Sequence, residues 1–216
     1  MIYPKADGWY SGGSAWGDLA GHLSFINSFK ERGLSATLSQ NPIFDRSAFS
    51  YPFAADYLSA LLTEIGLSLR SALILPSFVF LLVLTALIYF LTLKMTRSRS
   101  GAFIAPFIFF FNGSIFGLWP FWRDLQKSGV GLWKFLGAMT RQYGYAPELN
   151  IHFSNIAADF MPAQRTFIFG FVVGLAAVYF LWSYWESGGR AKLFYAGFLT
   201  AILPLVHTHS FVTVSM

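Results

Sequence analysis

Twenty-three consecutive residues, Ser71 to Leu93 (SALILPSFVFLLVLTALIYFLTL), contain no Asp, Glu, Lys, Arg or His. Few folds accept such a run. A helix of about 20 apolar residues matches the hydrocarbon core of a bilayer. In that core the backbone can satisfy its own N–H and C=O groups only as a helix or a closed barrel. Three further segments repeat the feature. Gly101–Trp122 is 22 residues long and ends in Trp, and Thr166–Trp185 is 20 residues long with an aromatic end. Leu193–Met216 lacks acids, Lys and Arg but carries His207 and His209. Only 12% of the chain is charged, against about 25% in soluble domains. The expected fold class is therefore an all-α integral membrane protein with about four transmembrane helices.

The short loops set an expected orientation. Lys94, Arg97 and Arg99 lie between the first two spans, and Arg190 and Lys192 between the last two. Short basic loops read as cytoplasmic. Residues 1–70 and 120–165 are then non-cytoplasmic and hold nine of the ten acids, Glu186 being the exception. The net charge of +5 is a topology signal in this setting and implies no nucleic-acid partner; the expected partner is the lipid bilayer. The chain has no cysteine, which excludes disulfides and thiolate metal sites. The opening MIYPKADGWYSGGS has neither the basic nor the apolar region of a signal peptide.

Two amphipathic helices are predicted in residues 1–70. Over Gly17–Glu31, the residues Leu19, Leu23, Ile26 and Phe29 recur at helical spacing, and Gly33 suits a C-cap. NPIFDRSAFSYP reads as a turn-rich connector. Over Phe53–Ile65, the residues Phe53, Tyr57, Leu58, Leu61, Leu62 and Ile65 form one face; Asp56, Ser59 and Thr63 lie elsewhere, with Asp56 expected on the wet side. An amphipathic helix just before a span most simply lies in the interfacial plane. The loop 120–165 is long enough to expect structure or function of its own.

The candidate site residues are few. Asp18 and His22 are four apart and share a helix face. Asp18 is read either as a first-turn acid serving the helix dipole or as a carboxylate that takes a proton from an attacking hydroxyl or holds a divalent cation. His207 and His209 fall inside a predicted span, where ionisable groups are costly: they are read either as functional residues or as neutral histidines hydrogen-bonded between helices. Pro204 is a candidate for opening that helix. Arg165 heads the third span, preceded by Gln164: it is either an interfacial anchor or a clamp for a lipid-linked phosphate. His152 and Asn155 are further candidates in the long loop. Asn112 sits in an NGS sequon but within a predicted span. Phosphate-binding loops, dinucleotide fingerprints, HExxH and GxSxG are absent from the sequence.

GDLAGHLSFINSF followed by NPIFDRSAFSYPFAADYLSALL resembles the first outer loop of polytopic GT-C glycosyltransferases, in which an acid of that loop lies near the start of a helix. MPAQRTFIFG and LPLVHTHSF resemble segments of uncharacterised bacterial and archaeal members of that group. The resemblance implies a mannosyltransferase-like enzyme of the prokaryotic plasma membrane that moves a sugar from a polyprenyl-phosphate carrier to an acceptor on the outer face. It implies Asp18 and His22 as catalytic residues. Arg165, Gln164, His152, His207 and His209 would bind substrate, with a divalent cation as candidate cofactor and the lipid-linked sugar donor as partner. GT-C enzymes have a span before the acid-bearing loop and more spans than the four counted here. The expectation is thus of a piece of a larger bundle, with a hydrophobic segment upstream of Met1 and further spans after Met216. A transporter or flippase-like protein is the alternative from another class, and a non-catalytic scaffold is the third.

Overall fold

The computed structural model describes residues 2–5, 8–11, 18–44, 46–112, 115–141, 143–152, 155–157, 161 and 164–216, without the side chains of 2–5, 8–11 and 152. The chain is mainly helical. A small hairpin pairs β1 (Ile2–Lys5) with β2 (Gly8–Ser11). Then come α1 (Asp18–Ser39), α2 (Ala54–Glu64), α3 (Leu69–Thr96), α4 (Arg99–Phe110), α5 (Leu118–Ser128) and α6 (Leu132–Gly137). A second hairpin of β3 (Tyr145–Ala146) and β4 (Ile151–His152) precedes α7 (Arg165–Ser187), α8 (Arg190–Val206) and α9 (Thr208–Ser215).

Both predicted N-terminal helices are present. α1 runs from Asp18 and is broken at Gly33 (φ 78°, ψ 173°), a conformation open essentially to glycine, so that Gly33 makes a kink within the helix where a C-cap is expected. The chain then resumes a helical course to Ser39, and Ser28 and Thr37 share a buried hydroxyl–hydroxyl bond of 2.9 Å across the kink. Asn41 opens the connector by accepting from the backbone N–H groups of Ile43 and Phe44. Phe25, Ile26 and Phe29 of α1 pack with Ala60 of α2 and Leu73 of α3, roofed by Phe49, Phe53 and Tyr57.

Two helices, α3 with 28 residues and α7 with 23, are long and apolar enough to cross a membrane. At about 1.5 Å per residue each reaches the roughly 30 Å of a hydrocarbon core. They run side by side in the same direction. Phe80 of α3 stacks on Phe169 of α7 at 4.0 Å, within a core that includes Leu84, Ile168, Val172 and Val206. At their C-terminal ends Lys94 Nζ meets Glu186 at 2.7 Å, so the acid that stood apart from the other nine has a partner. Large apolar side chains on the outside of α3, among them Phe78, Leu82 and Phe90, stay exposed. A surface of this kind suits lipid rather than water.

Because α3 and α7 are parallel, the chain must return between them. Between them come α4 and the segment Ile115–Ser128, which are together long and apolar enough for a span but are bent by 59° to one another. The predicted second span, 101–122, is thus a broken helix rather than a straight one. The break leaves carbonyls at the end of α4 without helical partners. Asn155 supplies a donor: its Nδ2 reaches Phe110 O at 3.2 Å and Asn112 Oδ1 at 3.1 Å, and it also meets Asn112 O. Asn155→Leu is expected to cost about 0.5–1.5 kcal/mol, the usual net value of a hydrogen bond, at this part-buried site, read by thermal unfolding in detergent. A loss of only a few tenths would show that the carbonyls have another partner.

The predicted fourth span, 193–216, is also interrupted. Pro204 brings no N–H to the helical ladder, and His207 leaves helical geometry (φ −164°, ψ 106°) between α8 and α9. His207 then caps α9, its Nδ1 accepting from the backbone N–H of Ser210 at 3.3 Å. α9 packs closely on α7. A Cβ added at Gly170 would stand 2.3 Å from His207 Cβ, whereas one at Gly174 meets Val214 at an ordinary 3.4 Å. Gly170→Leu is therefore expected to cost about 1–3 kcal/mol through overpacking, with Gly174→Ala close to wild type. Denaturation in detergent distinguishes the two, and equal effects would sink the close-packing account.

Candidate functional site

Three elements bring ionisable groups to one buried point. Asp56 lies in the first turn of α2, where a carboxylate is favoured by the helix dipole. One turn on, Ser59 shares its face. His22 comes from α1 and Arg165 from the first residue of α7. His22 Nδ1 is 2.8 Å from Asp56 Oδ2. Arg165 donates from Nη1 to Asp56 Oδ1 at 3.1 Å and from Nη2 to Ser59 Oγ at 2.7 Å. The Ser59 hydroxyl donates a hydrogen bond to Ala72 O at 2.8 Å, which ties the cluster to α3. Asp56 and Ser59 are 0% exposed, His22 2% and Arg165 7%. Each carboxylate oxygen of Asp56 has its own nitrogen partner. Arg165 Nε has no hydrogen-bond partner among the described residues.

This overturns the wet-side expectation for Asp56. The buried face of α2 is Ala55, Asp56, Ser59 and Ala60, while Leu61 and Ile65 of the apolar face are exposed. Phe53, Tyr57 and Leu58 of that face are half-buried against the cores, so the small-and-polar stripe is the more deeply buried one. The available signal was composition: in a chain this apolar, large aliphatic residues have lipid to face, and a small-and-polar stripe has only the protein interior in which to be satisfied. An Asp and a Ser three apart between two alanines made such a stripe.

The predicted site residues divide into three groups. His22 and Arg165 meet on Asp56. Both terminal nitrogens of Arg165 are engaged inside the protein, by Asp56 and Ser59. Asp18 is exposed at the start of α1, one turn before His22, with no ion-pair partner among the described residues. Tyr51 packs beside His22 and Phe25. Its ring stands 5.9 Å from that of His22. Burial pushes its phenol above the usual range, the charges of Asp56 and Asp18 add to that, and a hydrogen bond with Thr166 opposes it. Asp18 thus stands at the open edge of the cluster. Gln164 is half-buried at the N-cap of α7, without a side-chain capping bond.

His207 and His209 form a separate pair, with ring centroids 5.4 Å apart. They line an open cavity of about 200 Å³ together with Gly170, Gly174, Phe167 and Phe171. His152 lies on β4, and its side chain falls outside the described residues. Among the described residues no three His, Asp or Glu side chains gather as a metal-binding group. A cation held at Asp18 would draw on that one carboxylate and on substrate oxygens. The arrangement offers an accessible carboxylate backed by a locked ion pair, in a protein whose outer surface suits lipid. The chain matches no family model, no curated protein sequence and no solved structure.

Proposed function

We propose that the protein is a membrane glycosyltransferase that takes a sugar from a polyprenyl-phosphate carrier at the non-cytoplasmic face. The observation that carries the reading is the exposed Asp18 carboxylate at the start of a helix whose next turn is pinned, through His22, to the buried Asp56–Arg165 pair. In this reading four crossings exist: α3, the bent segment 101–122 that ends in the tryptophans of α5, α7, and α8 with α9 bent at His207. Residues 1–70 and 120–165 face outward in a prokaryotic plasma membrane. A lipid-linked donor reaches the site sideways from the bilayer, so a reactive carboxylate belongs at the membrane surface.

The step balances as follows. An acceptor hydroxyl oxygen attacks the anomeric carbon, the bond from that carbon to the phosphate oxygen breaks, and its electron pair leaves with the carrier phosphate. The hydroxyl proton goes to Asp18. His22, Asp56 and Arg165 act as positioning residues, because none of them faces the open edge. The cavity at His207 and His209 is the second place for substrate contact in this scheme.

A second reading has one observation in its favour. Three ionisable side chains buried together beside membrane-length helices are a common feature of proton and substrate pathways, which suits a transporter. Proteoliposomes containing the intact protein separate the two. With a polyprenyl-phosphate-linked sugar and an acceptor, the transferase forms product, and Asp18→Asn stops it with insertion unchanged. Absence of product together with proton-linked solute uptake that depends on Asp56 would replace this reading by the transporter.

A further inference from the structure

The stretch from α5 to α6 has an unusual surface. α5 divides into two faces. Phe121 packs against Phe135 and Tyr143 at 5.6 and 5.3 Å. Asp124 accepts from Arg141 at 3.0 Å and from the Tyr143 hydroxyl at 3.2 Å. These contacts hold α5 to the rest of its loop. The opposite face carries Leu118, Trp119 and Trp122, all exposed. On α6, Phe135 turns inward and Trp133 outward, the latter 84% exposed. Arg123 lies over the Trp119 ring at 5.0 Å. Lys127 and Lys134 have no ion-pair partner among the described residues, whereas Asp124 and Glu148 are both engaged by Arg141.

We infer that α5 and α6 form an interfacial paddle that docks on anionic phospholipid headgroups, with Trp119, Trp122 and Trp133 at the headgroup level. Two features select lipid over another occupant. The first is continuity along the chain: the exposed apolar residues Phe103, Phe107 and Ile108 of α4 and Phe111 after it are followed by exposed Ile115 and Phe116 and then by the Trp face of α5, with the half-buried Asn112 the polar residue among the described ones between Phe111 and Ile115. The second is charge. The acids of the patch, Asp124 and Glu148, are both paired to Arg141, whereas Lys127 and Lys134 have no ion-pair partner among the described residues, which leaves unpaired positive charge beside the exposed tryptophans. That combination is the signature of a helix lying in a lipid interface. At 11 residues α5 spans only about 16 Å, too short to cross the roughly 30 Å core alone but suited to lying obliquely at its edge. The inference rests on the membrane setting and is independent of the chemistry at Asp18.

The absence of cysteine from the chain makes the test clean. Trp133→Cys in the full chain carries a single environment-sensitive fluorophore, and the protein is reconstituted in bilayers of phosphatidylcholine with and without phosphatidylglycerol. Nitroxide lipids are expected to quench about half of the signal when the nitroxide sits near the headgroup and much less when it sits near the acyl-chain end, as for interfacial depth. Quenching should be stronger with phosphatidylglycerol, and Lys127→Glu with Lys134→Glu should erase that difference. Leu136→Cys, one turn on, provides the same reading if the first variant folds poorly. Quenching by aqueous iodide alone would overturn the inference. So would a signal that tracks protein-to-lipid ratio rather than lipid type, because a second copy would then be covering the face.

Discussion

Replacing Asp56 by Asn is expected to cost about 3–5 kcal/mol of stability, the range for breaking one partner of a buried ion pair. The side chain keeps its shape but loses its charge, and the Arg165 guanidinium is left buried at 7% exposure with only Ser59 as a strong acceptor. His22 loses its carboxylate partner at the same time. The damage should exceed the value of the pair itself. Pairing two charges in a low-dielectric site recovers what their desolvation cost, so the intact pair contributes little net stability, but an unpaired survivor keeps the whole penalty. Asp56→Leu combined with Arg165→Met should therefore be far milder than Asp56→Asn alone. Unfolding of the purified protein in mixed detergent micelles, followed by circular dichroism, measures both. A single variant within about 0.5 kcal/mol of wild type, the usual range for a surface change, would mean that the cluster is solvated and that α1, α2 and α7 are not held together through it.

Asp18→Asn is expected to do the reverse. Transfer from a polyprenyl-phosphate sugar should fall by about 10²–10⁴-fold, the usual contribution of a general base, and stability should stay within about 0.5 kcal/mol of wild type. The carboxylate is exposed and lacks an ion-pair partner among the described residues, so its charge supports little in the fold. Asn is also as good a residue as Asp at a helix start, so α1 should begin where it does now. What Asn cannot do is accept the hydroxyl proton. The comparison with His22→Gln is informative: as a positioning residue His22 should lower the rate less and stability more. Product formation by Asp18→Asn at the wild-type rate removes Asp18 from the mechanism.

The two N-terminal helices were legible because each has an apolar period and a break that glycine signals: Gly33 has the positive φ that its place in the sequence suggested, and Gly66 follows α2 with φ 100°. α3 and α7 were legible from length and lack of charge alone. The bend between α4 and α5 was not, because a hydropathy pattern counts apolar residues without asking whether the backbone carbonyls among them are satisfied. Asn112 and Asn155, 43 positions apart, answer that question only once the chain has folded. The break at His207 was half legible. Pro204 announced an opening, but the non-helical residue falls three positions later, where the His207 side chain caps α9.

Charge-free runs and glycines act locally and have the same meaning in any fold, which is why they marked out two helices long and apolar enough to cross a membrane. Which face of α2 points inward, and which acid is buried, depends on contacts that exist only in the folded chain. Asp18 and Asp56 both sit in the first turn of an amphipathic helix and look alike on the page. What separates them is Arg165, 109 residues beyond Asp56, whose charge makes burial of one carboxylate tolerable and leaves the other at the surface.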